Sequence, residues 1–332
     1  MKPLRARYLL VFWALQAVSV ADVLSSMGQY EVIRPQRLHT RQRREAKGLY
    51  PEEAQYAVTV GGKEMVIHLQ RTRRLVSEDY TETYYLEDGT EVSEAPSHQD
   101  HCYYQGYVKG SDNSSASFST CDGLSGYLHS EGQGYVMEPL GPSDEADHAV
   151  YKVEALTQPL HTCGVNATAP DLGPRVEETF ASESQKSHYL REGKYVETYV
   201  VADYSEFKKA GSVDDVRKRI FQAINHINLL YKPLRTHVAL IGLEVWSAGD
   251  KIKVSTDSGK LLDDIMRWRN SQLLPKKNHD NLQFITNLDF NGDTIGLAYV
   301  KAMCTENSGA VNQDHASSVI GVASTIAHEM GH

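Results

Sequence analysis

Residues 319–332 read VIGVASTIAHEMGH, and this stretch decides how the second half of the chain is built. Val319, Val322, Ala323, Ile326 and Ala327 recur at helical spacing, which predicts a buried helix from about Val319 to His332. Its end, His328-Glu329-Met330-Gly331-His332, is an H-E-x-x-H arrangement. Positions four apart on a helix share a face, so both imidazoles reach one metal ion. Glu329, beside the first imidazole, is placed to take a proton from an activated water and deliver it to a leaving amine. Zinc suits the pair, because it lowers the pKa of a bound water to about 7 and polarises a carbonyl. In a chain with 14 histidines the pattern arises by chance in roughly a few per cent of cases, and two merely structural histidines are the competing reading. Zinc in hydrolases is normally held by three protein ligands with one position open. Two histidines leave that set incomplete, so a third is expected from sequence beyond His332.

Working back from the helix, the chain alternates strand and helix patterns. Tyr195–Ala202 is a Val- and Tyr-rich run suited to a buried strand, and Val213, Val216, Ile220, Ala223, Ile224, Ile227 and Leu230 line one helical face after it. Ser212 is a natural N-cap, with Asp215 placed to favour the positive helix end. Further strands are expected at His237–Trp246, Leu282–Asn287 and Ile295–Val300, and a second helix around Gly259–Ser271. Such alternation implies an α/β layer structure.

Between Gly164 and Lys194 the apolar periodicity fades into a Pro-, Gly-, Glu- and Ser-containing stretch, read as an exposed linker. Upstream, from about Gln55 to Val153, short β-rich runs at Tyr56–Val60, Met65–Leu69, Tyr80–Leu86, Tyr103–Val108 and Tyr135–Glu138 are separated by turns such as Gly61-Gly62, Asp88-Gly89 and Asp122-Gly123. That pattern predicts an antiparallel β module. It contains no enzyme motif.

The first 21 residues carry Lys2, Arg5 and Arg7, an apolar run from Tyr8 to Val18, and small residues at Ser19-Val20-Ala21. This is the pattern of a secretory signal peptide cut before Asp22, and the apolar run is shorter than the roughly 20 residues a membrane-spanning helix needs. An oxidising compartment makes disulfides persist, but the four cysteines allow three complete pairings and the sequence does not choose among them. Sequons at Asn113 and Asn166 fit the same compartment as N-glycosylation acceptors on exposed loops. The formal net charge of -9 gives no general pull toward nucleic acid or an anionic membrane. Cys163, in His161-Thr162-Cys163-Gly164-Val165-Asn166, has two readings: a thiolate that blocks a downstream zinc site, or a disulfide partner.

Several stretches together resemble the adamalysin (reprolysin) family, which includes the disintegrin-and-metalloproteinase proteins and the snake-venom metalloproteinases. They are Tyr195–Asp203, Gly242–Trp246, His279-Asp280-Asn281, Ala302-Met303-Cys304, Ser308–His315 and Ala327–His332, with Tyr80–Tyr85 and His101–Tyr127 upstream. The resemblance covers nearly the whole chain after residue 21. It implies an α/β metzincin-like catalytic domain, a mixed sheet plus helices that is C-terminally truncated here, preceded by a β-rich prodomain. The corresponding divisions are a signal peptide over 1–21, a prodomain over 22–163, a linker over 164–194 and an incomplete zinc metalloprotease domain over 195–332.

Carried over residue by residue, the resemblance makes His328 and His332 zinc ligands, Glu329 the catalytic base and Cys163 a cysteine switch that keeps the enzyme latent. It pairs Cys102 with Cys121 and gives Cys304 a partner further downstream. Glu197 and Asp280 match two acidic ligands of a structural calcium site found in some members. The implied activity is zinc-dependent endopeptidase cleavage of extracellular or cell-surface proteins. Protein and peptide substrates and the chain's own prodomain are the implied partners, in a secreted or single-pass cell-surface parent protein. A catalytically inactive adhesion or receptor-type member is the alternative, although such relatives commonly lose one of the three motif residues retained here.

The family pattern continues past His332 to a glycine, a third histidine and a methionine-containing turn, so the chain by itself is expected to be inactive. The junction Leu190-Arg191-Glu192-Gly193-Lys194-Tyr195 lacks the Arg-x-[Lys/Arg]-Arg site common in relatives. Arg41–Arg44 and Arg71–Arg74 fit that site but lie far upstream of Cys163, which points to self-cleavage or another protease near Lys194.

Overall fold

The computed structural model describes residues 29–38, 49–97, 100–155, 162–164 and 191–332. The expected signal peptide, the second sequon at Asn166, Arg41–Arg44 and most of the expected linker lie outside the described residues. Along the chain the strands are β1 (Glu31–Ile33), β2 (Gln36–Arg37), β3 (Glu53–Val60), β4 (Lys63–Arg71), β5 (Val76–Tyr85), β6 (Glu91–Glu94), β7 (Tyr103–Val108), β8 (Ser115–Ser119), β9 (Ser125–Ser130), β10 (Gln133–Pro139), β11 (His148–Lys152) and β12 (Thr162–Cys163), then β13 (Lys194–Ala202). Helices α1 (Tyr204–Ala210) and α2 (Val213–Tyr231) follow, then β14 (Thr236–Val245), α3 (Ser258–Trp268), β15 (Asn281–Thr286), β16 (Thr294–Ala298), β17 (Gly309–Gln313) and α4 (Val319–Met330).

The chain divides into two compact units. One comprises residues up to Thr72, Asp100–Pro159 and Ala316–Ile320. Its sheet is antiparallel throughout, in the order β1-β11-β10-β9-β8-β7-β4-β3-β2. Alternation along β3 buries Ala54, Tyr56, Val58 and Val60, and β4 answers with Met65, Ile67 and Leu69. These side chains pack with Tyr104, Phe118, Leu124 and Leu128 in one core. Each fully buried side chain of this size contributes about 1.5–3 kcal/mol. A disulfide joins Cys102 to Cys121.

The other unit comprises Arg73–Gln99, Leu160–His315 and Gly321–His332. Its sheet runs β12-β16-β17-β15-β13-β14-β5-β6. Strands β17, β15, β13, β14 and β5 are mutually parallel, while β16 lies antiparallel to β17 and β6 antiparallel to β5. Central parallel strands are covered on both faces, and β13 accordingly buries Tyr199, Val200, Val201 and Ala202 in succession. The expected cap of α2 is present, with the Ser212 hydroxyl accepting the Asp215 amide at 3.0 Å. Asn228 then fastens α2 to β14, donating to the Val238 carbonyl at 2.8 Å and accepting the Val238 amide at 2.9 Å. On α3, the Asp257 side chain caps by accepting the Lys260 amide, and Leu261, Leu262, Ile265 and Met266 pack with Trp246 and Phe284.

The run Tyr80–Leu86 reads from sequence as part of the antiparallel β module, but β5 is a parallel neighbour of β14 in the other sheet. Period-two patterning sets which residues of a strand face a core; it carries no information about which sheet accepts the strand.

Candidate metal centre

The helix α4 buries Val322, Ala323, Ile326 and Ala327, which turns His328 and His332 toward one side at its C-terminal end. That end is fixed by three contacts. Tyr231 of α2 donates its hydroxyl to the Ala327 carbonyl at 2.8 Å, the Gly331 amide donates to the carbonyls of Ala327 and His328, and the Lys301 amide donates to the His332 carbonyl at 2.7 Å. The imidazole rings of His328 and His332 lie nearly perpendicular, with centroids 4.8 Å apart.

The thiol arrives on a different strand. Short β12, at the end of the sheet, runs parallel to β16: the Thr162 amide donates to the Asp293 carbonyl at 2.8 Å and the Gly164 amide to the Gly296 carbonyl at 3.0 Å. Between these two anchors, Cys163 projects its sulfur to 3.1 Å from Nε2 of His332 and 3.6 Å from Oε2 of Glu329. Ligand atoms of Cys163, His328, Glu329 and His332 all lie within 4.8 Å of one another, the only such group of three or more among the described residues. A zinc ion bound at about 2.3 Å from sulfur and about 2.0–2.1 Å from nitrogen spans separations of this order. Two imidazoles and a thiol are also zinc's preferred donors, so the residues fit the ion.

Glu329 is buried to 3% exposure. Burial raises its pKa to about 7, opposed by the hydrogen bond from Cys163. His332 is pushed down, first by burial and then by the neighbouring His328. Room for the Glu329 side chain comes from Gly296 on β16, where a Cβ would lie 2.5 Å from Oε1. Sequence reading did not single out Gly296 or Tyr231. A glycine inside the strand pattern Thr294–Ala298 is the available signal, since it marks close approach of another group.

Glu197 and Asp280 are neighbours. The Asp280 carboxylate accepts the Glu197 amide at 2.9 Å, and the Asp280 amide donates to the Glu197 carbonyl at 2.9 Å. Cys304 lies outside any disulfide, is exposed, and donates to Asp280 at 3.6 Å. Asn113 is exposed in the loop between β7 and β8.

A mixed sheet whose H-E-x-x-H helix ends beside its edge strand, with a β-rich region before it, defines a metzincin-like zinc metalloprotease fold. The family model described as "Reprolysin (M12B) family zinc metalloprotease" matches residues 194–332, and that of the "Reprolysin family propeptide" matches 29–109. The chain belongs to the reprolysin family. It is 38% identical over 335 residues to the snake venom metalloproteinase-disintegrin-like mocarhagin of Naja mossambica, covering 97% of this chain and 55% of that protein. It is 39% identical over 334 residues to a zinc metalloproteinase-disintegrin-like protein of Cerberus rynchops, covering 97% and 54%. The zinc metalloproteinase-disintegrin-like atragin of Naja atra is 39% identical over 331 residues, covering 96% and 54%. The chain therefore spans about half the length of the curated relatives it matches.

Proposed function

We propose that this chain is the propeptide and part of the catalytic domain of a latent zinc metalloendopeptidase that cleaves extracellular or cell-surface proteins. The observation that carries the reading is the convergence of Cys163, Glu329 and His332, 3.1–3.6 Å from the sulfur, with His328 in the same group. In the proposed assignment His328 and His332 hold zinc, and Cys163 fills the position a water needs. Zinc, when bound, supplies Lewis acidity and an activated water. Glu329 would take a proton from the attacking water and return it to the nitrogen of the broken peptide bond, so that one water would be consumed and one amine would leave. Its buried carboxylate, already drawn toward proton uptake, suits a group that must both accept and return a proton.

The proposed divisions are a signal peptide over 1–21, a prodomain over 22–163, a linker over 164–194 and the protease domain from 195. The description of the Naja mossambica relative as a snake venom protein supports a secretory destination, with a cell-surface anchor as the other form. Among the described residues no helix is long and apolar enough to cross a membrane. The Glu197–Asp280 pair is the proposed contribution to a calcium site, and Asn113 and Asn166 are the proposed glycosylation acceptors.

The test is expression of the complete precursor with zinc analysis and peptide-cleavage assays on wild type, Cys163→Ser and Glu329→Ala. The expected result is cleavage at lower latency for Cys163→Ser and none for Glu329→Ala. Equal latency with and without the thiol rules out the switch; full cleavage by Glu329→Ala rules out the assigned base. N-terminal sequencing of the same proteins separates activation routes, since processing near Lys194 that persists in Glu329→Ala excludes self-cleavage.

A further inference from the structure

Strand β5 lies within the stretch matched by the propeptide model, whereas β14, beside which it pairs, lies within the stretch matched by the catalytic model. Within the part matched by the catalytic model the sheet ends at β14, so the propeptide's strand completes it. A sheet edge presents unpaired amides and carbonyls to whatever strand can reach it.

The contacts along this edge are numerous and chemically matched. Arg217 on α2 grips the Glu82 carboxylate with two parallel bonds, from Nε and from Nη2, each 2.6 Å. Glu82 is 2% exposed, so this is a buried, forked ion pair, the strong form of the interaction. The Tyr85 hydroxyl donates to Glu244 at 2.7 Å, and its ring lies 3.3 Å beneath Nζ of Lys251. Ser247 bridges the Tyr85 backbone, accepting its amide at 2.8 Å and donating to its carbonyl at 2.6 Å. Tyr80 sets its ring edge-on against Phe221 of α2. At the start of the segment, Nε2 of His237 is 2.7 Å from the Arg74 carbonyl, and the Leu240 amide donates to the Leu75 carbonyl at 3.1 Å. Charge follows the same division: residues 75–94 hold seven acidic side chains and no lysine or arginine, while Arg217, Lys251, Lys276 and Lys277 face them.

From these contacts we propose that the β14 edge, with Arg217, Glu244 and Lys251, is a strand-acceptor surface for the acidic propeptide segment Arg73–Glu94. It holds the propeptide after the chain is cut before Lys194, independently of Cys163 and of zinc. Removing the thiol or the metal frees the centre but leaves the excised propeptide seated by β-augmentation. Cutting after Arg74 does not release it either, because β5, β6 and β12 all lie on the same side of that cut. The proposal rests on the match to the propeptide family and the pairing of β5, and stands or falls separately from the Cys163 assignment.

The experiment places a sequence-specific protease site at Glu192-Gly193 in the full chain, nicks it, and measures co-elution of the two pieces by size-exclusion chromatography. Wild type and Cys163→Ser are run with and without a zinc chelator. Co-elution in all four conditions is expected, as is its loss in a Glu82→Lys, Tyr85→Ala variant whose uncut form retains its circular dichroism. Separation of the nicked Cys163→Ser protein in chelator, or undiminished co-elution of the folded variant, overturns the proposal. Should the variant fail to fold, hydrogen exchange on the nicked Cys163→Ser protein decides. Continued protection of the Leu240 amide supports the acceptor edge, and exchange at the rate of an open amide refutes it.

Discussion

The sulfur of Cys163 stands 3.1 Å from Nε2 of His332, although 169 positions separate the two residues in sequence. The first consequence is for thiol reactivity. A zinc ion shared by these two atoms shields the Cys163 thiolate from alkylation, whereas exposed Cys304 has no such partner. Peptide mass spectrometry after iodoacetamide treatment at mildly alkaline pH should find Cys304 modified with or without chelator. Cys163 should be modified several-fold more when zinc is stripped. Equal labelling of Cys163 in both samples argues against its coordination.

Gly296→Ala tests the wall against which Glu329 packs. The new Cβ meets the buried carboxylate at 2.5 Å, so either β16 or the Glu329 side chain has to move. Overpacking of this kind costs about 1–3 kcal/mol. Thermal denaturation should show a lower melting temperature than wild type, and an unchanged melt would mean that the strand and the acid are not in contact in solution.

The stabilising contributions of two buried histidines, His226 and His279, should fall on mild acidification. Burial lowers the pKa of His226 to about 4, and that of His279 to about 4 with the Arg269 guanidinium adding to it. Arg269 donates to Nε2 of His279 at 2.8 Å, a bond that requires that nitrogen to be unprotonated. In the unfolded chain both residues titrate near 6.5. Between those values the unfolded state binds more protons, so stability is full above about pH 6.5 and drains away as pH falls toward 4. For His226 alone the loss is about 2 kcal/mol by pH 5. Denaturant melts of the metal-free chain at pH 7 and pH 5 measure it; a His226→Gln variant that folds should lose less than wild type over the same interval. Glu329, raised to about 7, acts in the opposite sense in both proteins, so an equal change from pH 7 to pH 5 in wild type and His226→Gln contradicts the buried-neutral assignment.

The disulfide between Cys102 and Cys121 closes a short loop across the ends of β7 and β8. A cross-link over a loop of this size stabilises by about 3 kcal/mol, mainly by restricting the unfolded chain. Replacing both cysteines with serine should lower the denaturant midpoint of the β-rich unit while leaving the α/β unit's transition in place. A single transition unaffected by the change would show that the bridge does not constrain the unfolded state.

How far the sequence revealed this molecule depended on whether the determining interactions were local. Helix α2 was legible because Ser212, the apolar face and the acidic first turn all act within one segment. The H-E-x-x-H helix was legible for the same reason. Strands β8 and β9 were not, because SASFS and SGYLHS are serine-rich and their burial comes from neighbouring strands. Strand β17 hid behind Gly309 and Asn312; Asn312 is fully buried and donates to Gln283 at 2.9 Å, a polar pairing no periodicity reports. Arg269–Leu273 continues α3 as a π-helical turn, which the helical pattern through Ser271 anticipated in extent but not in kind. The placement of β5 beside β14 and of Cys163 beside His332 are both non-local, and only the second had a motif to suggest it.

In the proposed assignment Cys163, His328 and His332 are ligands of one zinc ion. X-ray absorption at the zinc edge of the zinc-loaded chain reads the ligand atoms directly. The account predicts one sulfur at about 2.3 Å together with nitrogen donors at about 2.0–2.1 Å, and loss of the sulfur shell in Cys163→Ser. A shell of nitrogen and oxygen alone, unchanged by that substitution, would contradict it.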